Sequence, residues 1–191
     1  MAKATHGVWE GHWYFEVTLN NSTGHARIGW SQISGDLQAP CGYDIFSYSF
    51  RDSPGTLFHN SRPVLDAPEV YDGGFSNFVF LFSLKQTLVE TGDVLGVAIH
   101  LPKYKKKARE PAVDVQLLRR LWDPERMDQY VPFKSKPLST VPKSYIEYFK
   151  NGNSLGHAFT NLNLGKYHPA VSVFGGASVS VNFGFVILDD R

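Results

Sequence analysis

Apolar side chains in this chain recur at every second residue in short bursts, the period of a strand with one face buried. Trp13-Tyr-Phe-Glu-Val-Thr-Leu19 sets Trp13, Phe15, Val17 and Leu19 on one face and Tyr14, Glu16 and Thr18 on the other. Asn20-Asn-Ser-Thr-Gly24 supplies turn chemistry, and the chain resumes at Arg27 to Ser31 with Ile28 and Trp30 inward and Arg27 on the opposite face. The pattern predicts that these two segments form a hairpin. Gly92 to Leu101 alternates Leu95, Val97, Ile99 and Leu101 with smaller partners. Tyr145-Ile-Glu-Tyr-Phe-Lys150 runs through Asn151-Gly152 into Leu155 to Phe159, and Asn-Gly between β-rich runs is the strongest short hairpin signal, because both central residues of a type I′ turn need positive φ. Ala170 to Phe174, Gly175-Gly176 and Ser178 to Phe183 predict a closing hairpin. Trp13, Trp30, Phe46 and Phe183 are read as core aromatics.

The window from Pro102 to Lys143 departs from this pattern. It holds six of the eleven prolines, and eleven Lys and Arg against five acids give it a local charge of +6. Proline at that density does not fit a sheet interior, so most of the window is expected to be surface connection. Val113, Leu117, Leu118 and Leu121 recur at helical spacing and predict one short docked helix. The longest apolar run, Phe78-Val-Phe-Leu-Phe82, falls well short of a membrane-spanning helix.

Composition sharpens the picture. At 191 residues the chain fits one domain with a single substantial core. Aromatic residues at 14%, with 17 glycines and 11 prolines, favour many short strands joined by turns. The formal net charge of +1 announces no global field for nucleic acid or membrane, so electrostatic recognition must come from local patches. The single Cys41 excludes a disulfide framework and a Cys-rich zinc site and points to a reducing compartment, while Met1-Ala-Lys-Ala-Thr-His6 lacks the apolar stretch of a signal peptide. The seven histidines lack ligand spacing, and no nucleophile elbow, phosphate loop or dinucleotide fingerprint occurs. The expectation is a protein with no catalytic residues, no metal and no cofactor.

Three neighbouring segments carry the candidate chemistry: Ala26 to Ser31, Leu37 to Asp44 and Phe46 to Arg51. They place Arg27, Arg51 and Tyr43 on short strands and a tight turn, without an accompanying metal ligand or nucleophile, which reads as a binding surface. Taken singly, each arginine also fits an exposed strand residue in a surface ion pair, contributing about 0–1 kcal/mol. The run Lys103-Tyr-Lys-Lys-Lys-Ala-Arg109 fits a nuclear localisation signal, a nucleic-acid patch or a solvated loop crest.

Read together, Gly11-His-Trp-Tyr-Phe-Glu-Val17, Ala26-Arg-Ile-Gly-Trp-Ser31, Gly92-Asp-Val-Leu-Gly96, Tyr148-Phe-Lys-Asn-Gly152, Tyr167-His-Pro-Ala170 and Val181-Asn-Phe-Gly184 resemble, in order, the SPRY domain. The resemblance implies an all-β bent sandwich of two antiparallel sheets lacking its first strand or two, one domain over 1–187 and a tail over 188–191. It also marks Ser76 to Glu90 as an unusual insertion and 102–143 as a long basic, Pro-rich connection. The Leu37 to Asp44 block with Phe46 to Arg51 resembles one subfamily, the trithorax-group "absent, small or homeotic discs" type-two proteins, core subunits of COMPASS and MLL-type histone H3 lysine-4 methyltransferase complexes. That likeness implies a nuclear, non-catalytic adaptor, which clasps an acidic or phosphorylated segment of a WD-repeat subunit of the retinoblastoma-binding protein five type and so stimulates the SET-domain enzyme indirectly. The positions matching that family's pocket are Arg27, Pro40, Tyr43 and Arg51. A further pocket tyrosine, the zinc-finger and winged-helix regions and a C-terminal docking helix have no counterpart, so the chain reads as a fragment or short gene product. The alternative is a generic SPRY protein-binding module such as a ubiquitin-ligase substrate receptor.

Overall fold

The computed structural model describes residues 1–21, 23–63, 88–103 and 139–184. These build eleven strands in two antiparallel sheets. The first sheet orders its six strands β1 (Ala2–Lys3), β10 (Tyr167–Phe174), β3 (His25–Gln32), β4 (Ser47–Arg51), β5 (Thr56–His59) and β6 (Arg62–Pro63). The second orders five: β11 (Ser178–Asn182), β2 (Gly11–Asn21), β7 (Val94–Leu101), β8 (Tyr145–Lys150) and β9 (Asn153–Thr160). The all-β sandwich expected from the alternation is the architecture observed.

The core lies between the sheets, where the period-2 pattern puts it. Phe15, Val17 and Leu19 of β2 and Leu95, Val97, Ile99 and Leu101 of β7 face Ala26, Ile28 and Trp30 of β3 and Phe50 of β4, all buried. Aromatic pairs bridge the layers at three places: Phe15 to Trp30 at 5.2 Å, Tyr148 to Phe50 at 5.3 Å and Phe159 to Tyr48 at 5.1 Å between centroids. One buried hydrogen bond crosses as well, from the Tyr148 hydroxyl to the Ile28 carbonyl at 3.0 Å. Burial holds that phenol well above the ordinary tyrosine range, so it stays a donor.

Two expected hairpins are instead crossings between sheets. β2 pairs with β7 and β11, whereas β3 pairs with β10 and β4. The turn after β2 therefore carries the chain across the sandwich, and Gly175-Gly176 does the same between β10 and β11. Alternation shows that a strand has one apolar face; it does not distinguish a partner beside the strand from a partner facing it across the core. The two crossings touch: a Cβ at Gly24 would overlap the Phe174 carbonyl oxygen, so only glycine lets the arches pass. The Asn151-Gly152 hairpin is present, with φ of 50° and 79° and Lys150 opposite Asn153. Asn151 also accepts a bond from the Val94 N–H and donates to Asp93, tying the hairpin to the start of β7.

Trp30 and Phe46 are buried as expected, but Trp13 is 51% and Phe183 56% exposed. The Trp13 indole folds back over Gly11, where its N–H donates to the Glu10 carbonyl at 2.8 Å, and this local bond draws the ring off the core face. Phe183 lies beyond the last residue of β11, where its ring meets the Phe15 ring at 6.2 Å. Most of Ser76 to Glu90, most of 102–143 and the helix expected over Val113 to Leu121 lie outside the described residues. The described ends of these windows join the body of the fold: Val89 and Val141 are buried, and the Val89 N–H donates to the Asp52 carbonyl at 3.1 Å.

Replacing Tyr148 with Phe removes the cross-sheet bond and leaves the rest of the ring in place. Urea unfolding should show a loss of about 1 kcal/mol with an unchanged slope.

Candidate partner-binding site

The outward face of the first sheet is where polar side chains gather. Antiparallel pairing aligns Ser172 of β10, Arg27 of β3, Arg51 of β4 and Thr56 of β5 in one row across four strands. The next row brings together Ala170, Gly29, Ser49 and Phe58. Arg27 and Arg51 are thus directly opposed across adjacent strands, a placement that like charges normally avoid. Among the described residues no carboxylate pairs with either guanidinium. The Arg27 guanidinium lies 3.9 Å over the centre of the Phe58 ring, and burial, then the Arg51 charge, lower its pKa.

The segment between β3 and β4 folds back over this face and is held by its serines. Ser172 Oγ accepts the Cys41 N–H at 2.8 Å, the Cys41 carbonyl accepts from Ser49 Oγ at 2.8 Å and from Arg27 Nη1 at 3.4 Å, and Ser47 Oγ accepts the Gly42 N–H at 2.9 Å. Gly42, at φ 84°, lies so close to Ser49 that a side chain there would overlap its hydroxyl. Asp44 steadies the far end by accepting from Ser47 Oγ and from the N–H groups of Phe46 and Asp36. Lys3 secures the near end, with its ammonium on the carbonyls of Gln32, Ile33 and Gly35 at 2.6–3.1 Å.

This clasp presents the other two expected residues. Pro40 is exposed and opens a tight turn in which its carbonyl accepts the Tyr43 N–H at 3.1 Å. Tyr43, 46% exposed, has its own carbonyl held by Ser61 Oγ. The structure brings Arg27 and Arg51 side by side, and it sets Pro40 and Tyr43 on the turn whose Cys41 carbonyl Arg27 touches. The sequence reading missed the supports: Phe58 beneath Arg27, and Ser47, Ser49 and Ser172 beneath the turn. Their signal was present in Phe46-Ser-Tyr-Ser-Phe50, where aromatics on the core face force both serines onto the other. The arrangement offers two positive charges, an aromatic wall and a rigid turn, the equipment for holding an anionic extended segment.

No protein-family model matches the chain. Among curated proteins it is 36% identical over 200 aligned residues to the Set1/Ash2 histone methyltransferase complex subunit ash-2 of Caenorhabditis elegans, covering 96% of this chain and 32% of that protein. It is 37% identical over 193 residues to the Set1/Ash2 histone methyltransferase complex subunit ASH2 of Drosophila melanogaster, covering 96% and 31%. The Set1 complex component ash2 of Schizosaccharomyces pombe matches at 29% over 229 residues. The chain spans about a third of the length of these relatives. A crystal structure of a human SPRY domain superposes with a TM-score of 0.55 at 16% identity, over 97% of this chain and 85% of that one.

Cys41 sits in the middle of the clasp, fully buried, with its thiol 3.6 Å from the Tyr48 carbonyl oxygen. Burial, then the charge of Asp44, push the thiol up to about 12, so the reactive thiolate is scarce at any pH below that. An aromatic disulfide reagent at mild alkaline pH should leave Cys41 unmodified in the folded protein and modify it fully in denaturant. Rapid reaction without denaturant would show that the clasp opens.

Proposed function

We propose that this chain, similar in sequence to the Ash2 subunits of Set1 methyltransferase complexes and in fold to a SPRY domain, is a non-catalytic protein-binding module of a histone H3 lysine-4 methyltransferase complex. Its ligand is an acidic or phosphorylated segment of the complex's WD-repeat subunit, of the retinoblastoma-binding protein five type. Arg27 and Arg51 take its carboxylates or phosphates, and Pro40 and Tyr43 pack its apolar part. Stimulation of the SET-domain enzyme is indirect: the joined pair of subunits binds the active arrangement of the catalytic domain better than the inactive ones and shifts the population toward it. The proposal carries a nuclear location with it.

The observation that supports this reading most is the opposed arginine pair. Two half-buried guanidiniums aligned across a strand pair repel each other, and no acid of the described residues offsets them. An incoming anion relieves that repulsion while forming charge-assisted hydrogen bonds, so the site gains more from an acidic partner than an isolated surface arginine would. Phe58 holds the Arg27 plane in one place and the serine clasp holds the turn, which reduces the ordering cost of binding.

Titration calorimetry with an acidic peptide from the WD-repeat subunit tests the assignment. Arg27→Ala or Arg51→Ala should each weaken binding by about 2 kcal/mol, roughly thirtyfold, without a change in folding. Tyr43→Ala should cost a similar amount, whereas Lys143→Ala, on the exposed turn before β8, should leave affinity unchanged at moderate salt. Small and equal losses at all four positions would reduce the arginines to ordinary surface residues.

A further inference from the structure

The outward face of the second sheet carries a row of rings that the partner site does not use. His12 of β2 stacks on His100 of β7 at 3.9 Å, His100 meets Tyr145 of β8 at 5.1 Å, and Tyr145 stacks on His157 of β9 at 3.9 Å. Register explains the row: His12 lies opposite His100, and His100 opposite Tyr145. Beside it is a shallow depression of about 230 Å³ lined by His12, Trp13, Tyr14, Tyr145 and Glu147 among others. No Lys or Arg lines it among the described residues.

The charge of this depression is opposite to that of the arginine pair. Glu147 is partly exposed, held by Ser154 Oγ at 2.5 Å, and its other oxygen lies 3.8 Å from His157 Nε2. A second carboxylate, Glu16, accepts the Tyr14 hydroxyl at 2.9 Å. Burial and then that bond to Glu16 raise the Tyr14 phenol to about 12, so it stays protonated and keeps donating to Glu16. Aromatic rings beside a carboxylate, with no Lys or Arg among the lining residues, favour an ammonium or guanidinium group through cation–π attraction and ion pairing together.

We propose that Trp13, Tyr14, Tyr145 and Glu147 form a second binding site, on the opposite side of the sandwich from the arginine pair, which takes a lysine or arginine side chain of a basic peptide. Glu147 supplies the countercharge, and Trp13 and the two tyrosines supply the walls. The titratable groups around the site, among the described residues, are His12, Tyr14 and Glu16 from β2, His100 from β7, Tyr145 and Glu147 from β8 and His157 from β9. Burial, then the neighbouring His12 and His157, lower the pKa of His100, so it takes up a proton later than an ordinary histidine as pH falls. Each proton added to the row repels a bound cation, and a charged His157 also competes for Glu147. Binding therefore weakens as pH falls through the histidine range.

The test follows the Trp13 indole N–H resonance of the full chain by NMR during titration with a Gly-Gly-Lys-Gly-Gly peptide and with its Glu counterpart. The Lys peptide should shift the resonance saturably at about pH 7.5 and lose its effect near pH 5. The Glu peptide should leave it in place. Glu147→Gln, close to isosteric, should weaken the Lys peptide by about fivefold, and Arg27→Ala should not change it. An unmoved resonance, equal shifts with both peptides, or wild-type binding by Glu147→Gln would each overturn the assignment. Loss of binding in Arg27→Ala would do so too, by locating the contact on the other sheet.

Discussion

The Cys41 peptide unit is the joint on which the partner site turns. Its N–H is bound by β10 through Ser172, its carbonyl by β4 through Ser49 and by β3 through Arg27, and its thiol points at the Tyr48 carbonyl. Three adjacent strands thus converge on one residue of an otherwise irregular segment. Buried backbone groups need partners, and a loop laid flat on a sheet face finds none in the ladder, whose hydrogen bonds run within the sheet plane. Outward serines supply them. The same bonds that satisfy the loop also fix how Pro40 and Tyr43 stand relative to the arginines, so the stability of the segment and the shape of the site are one property.

The sequence made the strands legible and their neighbours only partly so. β2, β7 and β8 follow from alternation, because a strand packed on one face must repeat every second residue. The β8–β9 hairpin follows from Asn151-Gly152, because positive φ at two successive positions is a local demand that local sequence can meet. The crossings after β2 and β10 do not follow, since the chemistry of a turn that reverses within a sheet and of an arch between sheets is the same at the level of Asn, Ser and Gly. What separates them is the contact of Gly24 with Phe174 and Gly175, some 150 residues away along the chain. Such a contact has no local signature.

The site divides in the same way. Arg27 and Arg51 were visible as residues, yet their being opposite each other is a matter of register between β3 and β4. Tyr43 was visible in the turn itself and Pro40 through family resemblance, while the serines that hold their turn were hidden in a pattern read only for its apolar half. Trp13 shows the converse error: its parity matches Phe15, but a hydrogen bond three residues back outweighs parity at the end of a strand. The two outward faces end with opposite character, the Arg27 guanidinium over Phe58 beside Arg51 on one and carboxylates near tyrosines on the other. An overall charge of +1 conceals that separation completely.

The pairing of β2 with β11 and of β3 with β10 has a consequence for how the chain is made. Residues 16–21 find one of their two ladder partners only at 178–182, and residues 25–32 find one of theirs at 167–174. On a ribosome the early strands emerge with half their ladder bonds unmet and must wait until residues 167–182 have been made. Few local contacts reward early ordering in such a topology, so its assembly is slow and late. During that interval the apolar faces of β2 and β3 are open templates for wrong pairing.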